Sequence, residues 1–383
     1  MTSKLVFLIA GEPSGDVLGA RLMASLKRAA EGEVRFAGVG GERMQAEGLD
    51  SLFPMEELSV MGIAEVLPRL RSLTARIGQT ARTALDLSPD IVITIDAPGF
   101  NFRVGRKLRG RTFPLVHYVA PTVWAWRPGR AKKIARFLDH LLVLLPFEPP
   151  YFEREGLSTS FVGHPVTESG ADSGDGDRFR AIHGIPEDAP LLCVLPGSRR
   201  SETSRLLEIF GATVDLLASR FPDLRIVVPT VSWVAGEVSR AVANWAVPTV
   251  VVRGDEEKYD AFAAADAGLA ASGTVALELA MAGLPSVIGY KMQPATAWIA
   301  KRLIRVKYAN LVNILLDRPA VPEFLQDNCR PELLAEAIGS LLSDPDAAAR
   351  QRQDARTAVA MLRPEGQPTP SDAAAAKILE LMK

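Results

Sequence analysis

Short apolar segments, each followed by turn-forming residues and then by an amphipathic stretch, recur along most of the chain. In its first part they are Leu5–Ala10, Val34–Val39, Ile91–Ile95, Leu115–Val119 and Leu141–Leu145. In its second part they are Leu191–Leu195, Arg225–Pro229, Thr249–Val252, Ala267–Ala270 and Pro285–Ile288. Apolar strands that alternate with helices are typical of parallel sheets covered by helices on both faces. The pattern predicts an α/β protein with doubly wound, Rossmann-like sheets.

The pattern stops once and starts again, which predicts two domains. Residues 163–177 are rich in Gly, Ser, Asp and Glu, as linkers are. Three prolines within residues 363–372 break the chain before a last short helix. We therefore expect a first domain over 1–165, a linker over 166–178, a second domain over 179–362, and a C-terminal tail with a helix over 363–383. Parallel sheets bind ligands beyond the carboxyl ends of their strands, so a cleft between the two domains is the expected site.

Composition excludes several classes of protein. The 383 residues are 48% hydrophobic and 23% charged, so the chain can bury two cores and is not disordered. A formal net charge of −1 argues against binding of polyanions by the chain as a whole. Two cysteines exclude a disulfide scaffold. The apolar run Leu5–Ala10 is too short for a signal peptide, and no run approaches the roughly 18 residues of a membrane span, so we expect a cytoplasmic protein.

Basic residues are concentrated in one part of the sequence. No acidic residue occurs between Asp96 and Asp139, and this stretch contains ten basic residues: Arg103, Arg106, Lys107, Arg109, Arg111, Arg127, Arg130, Lys132, Lys133 and Arg136. The same stretch contains the aromatic residues Phe113, Tyr118, Trp124, Trp126 and Phe137. Basic side chains interleaved with aromatic ones suit an anionic membrane surface or a nucleic acid. A solvated basic face without a ligand is the alternative.

Polar residues follow the predicted strands of the first domain. Gly11–Asp16 leads from the first strand into a helix and lacks both the G-x-G-x-x-G pattern and a P-loop lysine. The loop after the second strand begins like a dinucleotide fingerprint but lacks its third glycine. Asp96 directly follows the third strand, where it could act as a general base, and the alternative is a cap for the next helix. For His117, in the following strand, a structural role is commoner than a catalytic one.

The loop after the first strand of the second domain leads into a helix and suits a diphosphate. Gly197 and Ser198 bring backbone N–H groups to a helix N-terminus, which attracts anions, and Arg199 adds a fork-shaped cation. The alternative is a capped turn with solvated arginines.

A second loop of the same kind contains Ser272, Gly273 and Thr274 and also precedes a helix. Glu278 lies four residues after Thr274, on the same helix face, where it could accept hydrogen bonds from a ribose. Two loops that suit a diphosphate in one domain predict a nucleotide-sugar site.

Motifs for other chemistry are missing from the sequence. There is no G-x-S-x-G motif, which argues against an α/β-hydrolase, and no His/Cys cluster with zinc spacing. The pairs Asp175/Asp177 and Asp344/Asp346 are interpreted as turn or cap residues rather than metal ligands. We therefore expect neither a metal ion nor another cofactor, with arginine and helix dipoles stabilising a leaving group.

An amphipathic, basic helix is predicted around residues 66–77. Its apolar positions are Val66, Leu67, Leu70, Leu73 and Ile77, with arginines between them. We interpret these side chains as a contact with a membrane or with acyl chains, and an ordinary core helix is the alternative. A second candidate for such a contact contains Trp298, Ile299, Leu303 and Ile304.

Several of these loops together resemble the lipid-A-disaccharide synthase family, in the same order and over nearly the whole chain. They are Gly11–Asp16 (GEPSGD), Gly38–Gly41 (GVGG), Asp96–Asn101 (DAPGFN), Tyr118–Trp126 (YVAPTVWAW), Leu195–Arg199 (LPGSR) and Asn310–Asn313 (NLVN). Val312 and Thr203 depart from residues that are common in the family. The Ser-Gly-Thr loop with Glu278 is shared more widely, with two-domain glycosyltransferases of the GT-B type and with sugar-nucleotide epimerases. The resemblance implies two Rossmann-like domains that face each other across a cleft.

The resemblance implies an inverting glycosyltransferase of lipopolysaccharide biosynthesis. Its donor would be UDP-2,3-diacylglucosamine and its acceptor 2,3-diacylglucosamine 1-phosphate. The products would be the β-1′,6-linked lipid A disaccharide 1-phosphate and UDP. Members of the family are metal-independent, peripheral on the cytoplasmic face of the inner membrane, and dimeric, and nucleic acid is not a partner. A sugar-nucleotide epimerase on a similar scaffold and a non-enzymatic protein that binds anionic lipids are the alternatives.

The resemblance also implies a role for each candidate residue. Asp96 would take the proton from the acceptor 6-hydroxyl, Glu278 would hold the ribose, and Asn313 would help to position the donor. The departing UDP would be stabilised by Gly197, Ser198, Arg199, Ser272, Gly273 and Thr274. The acceptor side of the cleft would be lined by Glu12, Ser14, Gly15 and Asp16.

Overall fold

The computed structural model describes residues 3–30, 32–58, 63–293, 306–364, 366 and 368–383, and in the helix that begins at residue 63 it describes side chains from residue 71 onward. The chain divides into two compact units. The first unit contains the chain up to Pro165 together with Leu362–Lys383, and the second contains Val166–Met361.

The first unit contains a sheet of seven parallel strands. They are β1 (Lys4–Ala10), β2 (Val34–Val39), β3 (Asp50–Ser51), β4 (Ile91–Ile95), β5 (Leu115–Tyr118), β6 (His140–Val143) and β7 (Ser158–Phe161), in the order β3-β2-β1-β4-β5-β6-β7. The strand β1 pairs with β2 on one side and with β4 on the other. The strand order therefore reverses between β1 and β4, which brings the loops after these two strands side by side.

Helices cover both faces of this sheet. They are α1 (Pro13–Ala29), α2 (Glu42–Ala46), α3 (Ile63–Leu87), α4 (Pro98–Lys107), α5 (Gly129–Ile134) and α6 (Pro149–Glu153). Side chains of β1 alternate between the faces, as successive residues of a strand must. Phe7 and Ile9 pack into one core with Phe102 of α4, whereas Leu8 packs into the other with Leu22 of α1. Burial on both faces explains why β1 is an unbroken apolar run.

The second unit repeats this architecture with six parallel strands. They are β8 (Leu191–Leu195), β9 (Arg225–Thr230), β10 (Thr249–Arg253), β11 (Ala267–Ala271), β12 (Ser286–Tyr290) and β13 (Glu323–Leu325), in the order β10-β9-β8-β11-β12-β13. Its helices are α7 (Gly176–His183), α8 (Arg200–Ala218), α9 (Ala235–Val242), α10 (Asp255–Ala264), α11 (Val275–Met281), α12 (Leu311–Leu316), α13 (Pro331–Ser343) and α14 (Pro345–Ala360). Here the order reverses between β8 and β11, which pair directly.

The prediction of two doubly wound, parallel α/β domains is confirmed, while the segments outside them differ from expectation. The helix α7 begins inside the expected linker, because Asp175 accepts a hydrogen bond from the Arg178 N–H at 2.9 Å and caps it. The expected tail ends in a helix, α15 (Pro370–Leu381), which is part of the first unit. It packs on α1, where Arg28 and Asp372 form an ion pair of 2.8 Å.

Three strands were not predicted from the sequence. The strands β3, β7 and β13 are two to four residues long and lie at or next to sheet edges. The strand β7 has the sequence STSF, without an apolar run, yet it pairs in register with β6. Only the neighbouring strand identifies such a segment as a strand.

Candidate functional site

The loops after β1 and β4 meet in the first unit. The residue pairs across the two strands end with Ala10 opposite Ile95, so the next residues of both strands leave the same edge of the sheet. Ser14, in the first turn of α1, donates a hydrogen bond from its Oγ to the Oδ2 of Asp96 at 3.4 Å. The first loop and Asp96, predicted from separate motifs, are therefore neighbours.

Asp96 occupies an unusual backbone turn. Asp96 and Ala97 both adopt left-handed backbone conformations, with φ of 48° and 40°. Residues other than glycine rarely adopt such conformations. Asn101 of α4 is almost fully buried and its amide Nδ2 donates to the carbonyl oxygens of Ile95 and Asp96 at 3.0 and 2.8 Å. The Asp96 N–H donates to the carbonyl of Tyr118 at 2.9 Å. These bonds hold a strained turn that aims the carboxylate, and such strain is concentrated at functional sites.

The alternative role of Asp96 as a helix cap does not match the structure. The residue at the cap position of α4 is Ala97, and no side-chain hydrogen bond caps this helix. Among the described residues, the Asp96 carboxylate has a single hydrogen-bond partner, Ser14. Asp96 is half-buried, so most of the hydrogen-bonding capacity of its carboxylate is left for a ligand.

Asp16 has a structural role that the sequence did not reveal. Its carboxylate is 5% exposed and accepts hydrogen bonds from the backbone N–H groups of Gly41, Arg43 and Met44 at 2.8, 3.0 and 3.1 Å. These groups open α2, so Asp16 ties the loop after β1 to the loop after β2. Its prediction as a residue lining the acceptor side of the cleft gains no support, because all of these contacts lie within the fold.

The other three residues predicted for the acceptor side lie at the start of α1. Gly15 is buried, and a Cβ there would lie 3.4 Å from Ala10 and 3.5 Å from the carbonyl oxygen of Ile95. These are ordinary van der Waals distances, so Gly15 lies in contact with the ends of β1 and β4 without its packing alone requiring a glycine. Glu12 and Ser14 are exposed at the edge of the sheet, with Glu12 at the cap position of α1. Of the four residues, these two are available to a ligand.

The segment after β5 is also strained, and a buried carboxylate supports it. Val119 and Arg127 have φ of 81° and 54°. The indole N–H of Trp124 donates to Glu148 at 3.0 Å, and Glu148 also accepts from the N–H groups of Leu144 and Leu145. Burial raises the pKa of Glu148 to about 7, against the effect of these hydrogen bonds. Sequence reasoning missed Glu148, because its side-chain partner Trp124 lies in another segment.

His117 belongs to the core of the first unit. It is fully buried, its Nδ1 lies 2.7 Å from the Thr94 hydroxyl, and its ring packs against Phe102. Burial lowers the pKa of His117 to about 3, which leaves the imidazole neutral at pH 7. This agrees with the structural role expected for it.

In the second unit, the two loops that suit a diphosphate also lie side by side. Leu195 at the end of β8 pairs with Ala270 of β11, so both loops leave the same edge. Gly197 has φ of 105°, a conformation that favours glycine. Arg199 is largely exposed and its guanidinium lies 3.1 Å from Glu202. Among the described residues no side chain caps α8 or α11, so the first N–H groups of both helices have no side-chain acceptor and suit an anion.

Glu278 forms a partly buried ion pair that the sequence did not predict. Its carboxylate lies 3.1 Å from Nζ of Lys258, in α10, and Lys258 also contacts Asp255 at 2.9 Å. Burial raises the pKa of Glu278, and the charge of Lys258 opposes this. Lys258 therefore fixes the position of the carboxylate that we expect to hold a ribose.

Asn313 offers no polar group to a ligand in this structure. It is fully buried, its amide donates to the carbonyl of Val321 at 2.8 Å, and it accepts from the Val321 N–H at 2.8 Å. These two bonds close the turn after α12. Asn313 supports the fold here, so its predicted contact with the donor gains no support.

Trp233 is a residue of this edge that sequence reasoning missed. It follows β9, its indole N–H donates to the carbonyl of Ser198 at 2.7 Å, and 64% of its surface is exposed. An exposed tryptophan beside the Gly197 loop presents a flat apolar face to a ligand of that loop.

The predicted membrane helix is in part a core helix. Ile77 is 4% exposed and packs with the core of the first unit, so its assignment to membrane contact gains no support and the alternative of a core position is favoured. Leu73 is half-buried. The side chains of Val66, Leu67 and Leu70 and the whole second candidate, Trp298 to Ile304, lie outside the described residues. Within the part of the chain that was searched, no helix is long and apolar enough to cross a membrane.

The residues that the structure describes contain no group of three or more His, Cys, Asp or Glu side chains that could hold a metal ion. The pair Asp344/Asp346 is cap chemistry, as expected, because Asp344 accepts from the N–H groups of Asp346 and Ala347.

Two doubly wound units, each with polar loops at the point where its strand order reverses, define the class of two-domain α/β proteins that includes GT-B glycosyltransferases and sugar-nucleotide epimerases. MurG of Acinetobacter baumannii matches 98% of this chain and 99% of its own, with a TM-score of 0.61 and 16% identity. UDP-GlcNAc 2-epimerase of Neisseria meningitidis, bound to UDP-GlcNAc, matches 99% of this chain and 98% of its own, with a TM-score of 0.61 and 12% identity. At these identities the likeness shows the fold.

Sequence relatives give the family. The family model of lipid-A-disaccharide synthetase matches residues 6–378. The lipid-A-disaccharide synthase of Rhodospirillum centenum is 60% identical over 385 residues, covering 100% of this chain and 96% of that protein. The synthase of Paramagnetospirillum magneticum is 57% identical over 383 residues, covering 99% and 98%. The chain belongs to the lipid-A-disaccharide synthase family, as its motifs indicated.

Proposed function

We propose that the protein is an inverting glycosyltransferase that joins UDP-2,3-diacylglucosamine to 2,3-diacylglucosamine 1-phosphate. The products are the β-1′,6-linked lipid A disaccharide 1-phosphate and UDP. The single observation that carries this proposal is the Asp96 carboxylate, which a strained turn holds at the edge of the sheet with Ser14 as its one hydrogen-bond partner among the described residues. A carboxylate with free acceptor positions is what a hydroxyl nucleophile requires.

Asp96 acts as the general base in a single displacement. The carboxylate takes the proton of the acceptor 6-hydroxyl, whose oxygen forms a bond to the anomeric carbon of the donor. The bond between that carbon and the diphosphate breaks, and its electron pair leaves with UDP. One displacement inverts the anomeric configuration. A base placed in this way contributes roughly 10²- to 10⁴-fold to the rate.

The second unit stabilises the departing UDP. Negative charge on the diphosphate is met by Arg199 and by the uncapped N–H groups at the starts of α8 and α11. Glu278, held by Lys258, accepts hydrogen bonds from the ribose. Because cations and amides of the chain itself supply the stabilisation, the proposal includes independence from metal ions.

The protein also associates with a membrane, in this proposal, as a peripheral protein on the cytoplasmic face. Both substrates carry acyl chains, and the basic stretch between Asp96 and Asp139 suits the surface of an anionic bilayer. The family resemblance also implies that the protein is a homodimer. Analytical sedimentation of the detergent-solubilised protein tests this oligomeric state.

One assay tests the reaction. The purified protein is incubated with both acylated substrates in neutral detergent micelles and EDTA, and products are identified by mass spectrometry. We expect equimolar disaccharide 1-phosphate and UDP. Conversion of the UDP-sugar into an epimer without disaccharide would support the epimerase alternative instead, and binding of lipid without turnover would support the non-enzymatic one.

A further inference from the structure

Three arginines of the first unit lie close together, one in α4 and two at the start of α5. Each guanidinium lies over an aromatic ring: Arg127 is 4.4 Å from the centre of Trp126, Arg130 is 5.9 Å from that of Phe102, and Arg106 is 5.8 Å from that of Phe137. The rings of Phe102 and Phe137 are 5.9 Å apart, edge to face, so they connect two of the three positions. We call Arg106, Arg127 and Arg130 the arginine cluster.

The backbone fixes the two arginines that follow β5. The Arg130 N–H donates to the carbonyl of Arg127 at 3.0 Å, so the two residues form one turn at the start of α5. Arg127 is held in a left-handed conformation, with φ of 54°. A strained non-glycine residue persists only where its surroundings determine it, and such positions gather at ligand sites.

The arginine cluster has no counter-charge of its own. No ion pair involves any of the three arginines among the residues that the structure describes, although many other arginines of the chain are paired with carboxylates. Arg130 is half-buried, and burial, with the positive charges of Arg127 and Arg106, lowers its pKa. The guanidinium nevertheless stays charged at pH 7. Three mutually repelling cations are therefore held close together, and an anion would relieve their repulsion.

The segment that contains Arg127 and Arg130 leaves the same edge of the sheet as Asp96, because Tyr118 at the end of β5 pairs with Ile95 at the end of β4. The helix α4 begins two residues after Asp96, and helix rise puts Phe102 roughly 6 Å along its axis from Pro98. Arg130 lies over Phe102. Asp96 and the two arginines that follow β5 therefore belong to one edge of this sheet, as two contacts of a single ligand would.

From these observations we propose that Arg127 and Arg130, assisted by Arg106, bind the phosphate monoester of the acceptor and so place its 6-hydroxyl at Asp96. This assignment rests on the proposed function for the identity of the acceptor. Guanidinium forks bind phosphate through paired, charge-assisted hydrogen bonds, and a monoester offers more charge and more free oxygens than the diester of a phospholipid. The aromatic rings hold the three guanidinium groups in place. Such a fixed arrangement suits a single phosphate monoester better than the fluid surface of a bilayer.

The test compares two acceptors that differ only in the phosphate: 2,3-diacylglucosamine 1-phosphate and 2,3-diacylglucosamine, each in micelles of neutral detergent. The variants are Arg127→Ala, Arg130→Ala and Arg130→Lys. The matched control is Arg356→Ala, which removes the same charge from an exposed position of α14 in the second unit. We expect the KM of the phosphorylated acceptor to rise roughly 10- to 100-fold in both alanine variants, with partial rescue by lysine. The KM of the donor and the KM of the unphosphorylated acceptor should stay within about twofold.

Equal losses with both acceptors would overturn the proposal, and so would unchanged kinetics in micelles combined with weaker binding to anionic phospholipid vesicles. The second pattern would assign the arginine cluster to lipid headgroups. A further arm measures equilibrium binding of the two acceptors without donor. If the wild-type protein prefers the phosphorylated acceptor through these arginines but forms no disaccharide, the proposed reaction fails and the phosphate site stands. Arg127 is exposed, so its variant should fold, and thermal denaturation checks this.

Discussion

The Ser14 hydroxyl donates a hydrogen bond to the Asp96 carboxylate at 3.4 Å, although 82 residues separate them in the sequence. The contact exists because β1 and β4 are neighbours in the sheet, so that the loops after them leave the same edge. This is the point at which doubly wound sheets bind ligands. The pair therefore marks the edge of the first unit at which we propose catalysis, and it gives the first prediction.

Replacement of Asp96 by asparagine should abolish most of the activity. Asp96→Asn keeps the shape of the side chain but removes the base, so we expect the rate to fall by roughly 10² or more while UDP affinity stays unchanged. Steady-state assays and UDP titration by calorimetry measure the two quantities. Asp86→Asn, at an exposed position in α3, is the control. Near-normal turnover by Asp96→Asn would remove this residue from the mechanism.

Removal of Arg199 should weaken both UDP binding and turnover. The guanidinium supplies a cation for a diphosphate whose charge increases in the transition state, so we expect Arg199→Ala to lower kcat/KM by roughly 10²-fold. Arg200→Ala, an exposed arginine one residue further on, should change it little. Equal effects of the two substitutions would indicate a general influence of charge rather than a diphosphate site.

The turn that holds Asp96 should depend on Asn101. Without its amide, the carbonyl groups of Ile95 and Asp96 lose their partner in a buried site, and the left-handed turn can relax. We expect Asn101→Ala to lower the free energy of unfolding by about 1–3 kcal/mol and also to lower kcat. Urea denaturation and the disaccharide assay measure these effects, with the exposed Asn244→Ala as control. A stable variant with full activity would show that the turn needs no such support.

Glu148 should make stability fall as pH rises from about 4.5 to about 7. Its pKa is raised from 4.5 to about 7 in the folded protein, so the folded state binds the proton more tightly than the unfolded state. The contribution of Glu148 to the free energy of unfolding is complete below pH 4.5 and is lost as pH rises through 7. Its full size is on the order of 3 kcal/mol. We expect the stability difference between the wild type and Glu148→Gln to follow this course in chemical denaturation.

The difference between the two proteins isolates Glu148 from the buried histidines. Burial lowers the pKa of His117 to about 3 and that of His164 to about 4. Both histidines therefore make the folded protein less stable as pH falls, which is opposite to the effect of Glu148. Because the wild type and the Glu148→Gln variant both contain these histidines, their effect cancels in the difference. Glu153→Gln, an exposed position nearby, is the control and should give a constant difference. A constant difference for Glu148→Gln as well would contradict the raised pKa.

We expect different residues of α3 to serve membrane contact and core packing. We expect the double substitution Leu70→Ser with Leu73→Glu to reduce sedimentation with anionic liposomes and to leave the protein folded. Ile77→Ser, by contrast, should lower the free energy of unfolding by about 3 kcal/mol or more, because Ile77 is buried in the core. Circular dichroism and liposome sedimentation distinguish the two effects. Unfolding of the double variant would assign the whole helix to the core.

Much of the fold could be predicted because local patterns carry it. The apolar runs gave β1, β4, β8 and most other strands, and the loops at Asp96 and Gly197 were recognised from residue types at strand ends. The sequence was least informative where the contacts of a side chain lie in a distant segment. Asp16 looked like a loop residue open to ligand, and Ile77 like part of a lipid-facing stripe, since a helical period does not tell which face of a helix is covered.

By itself, the sequence determined the alternation of strands and helices, the two-domain class, the family and the polar loops, because each depends on neighbouring residues. Only the tertiary structure decided which residues the functional side chains contact. It tied Asp16 to the start of α2, paired Glu278 with Lys258, closed Asn313 on Val321 and brought the arginine cluster together. Each of these depends on which strands and helices are neighbours, and this order arises from the packing of whole sheets rather than from any local stretch of chain.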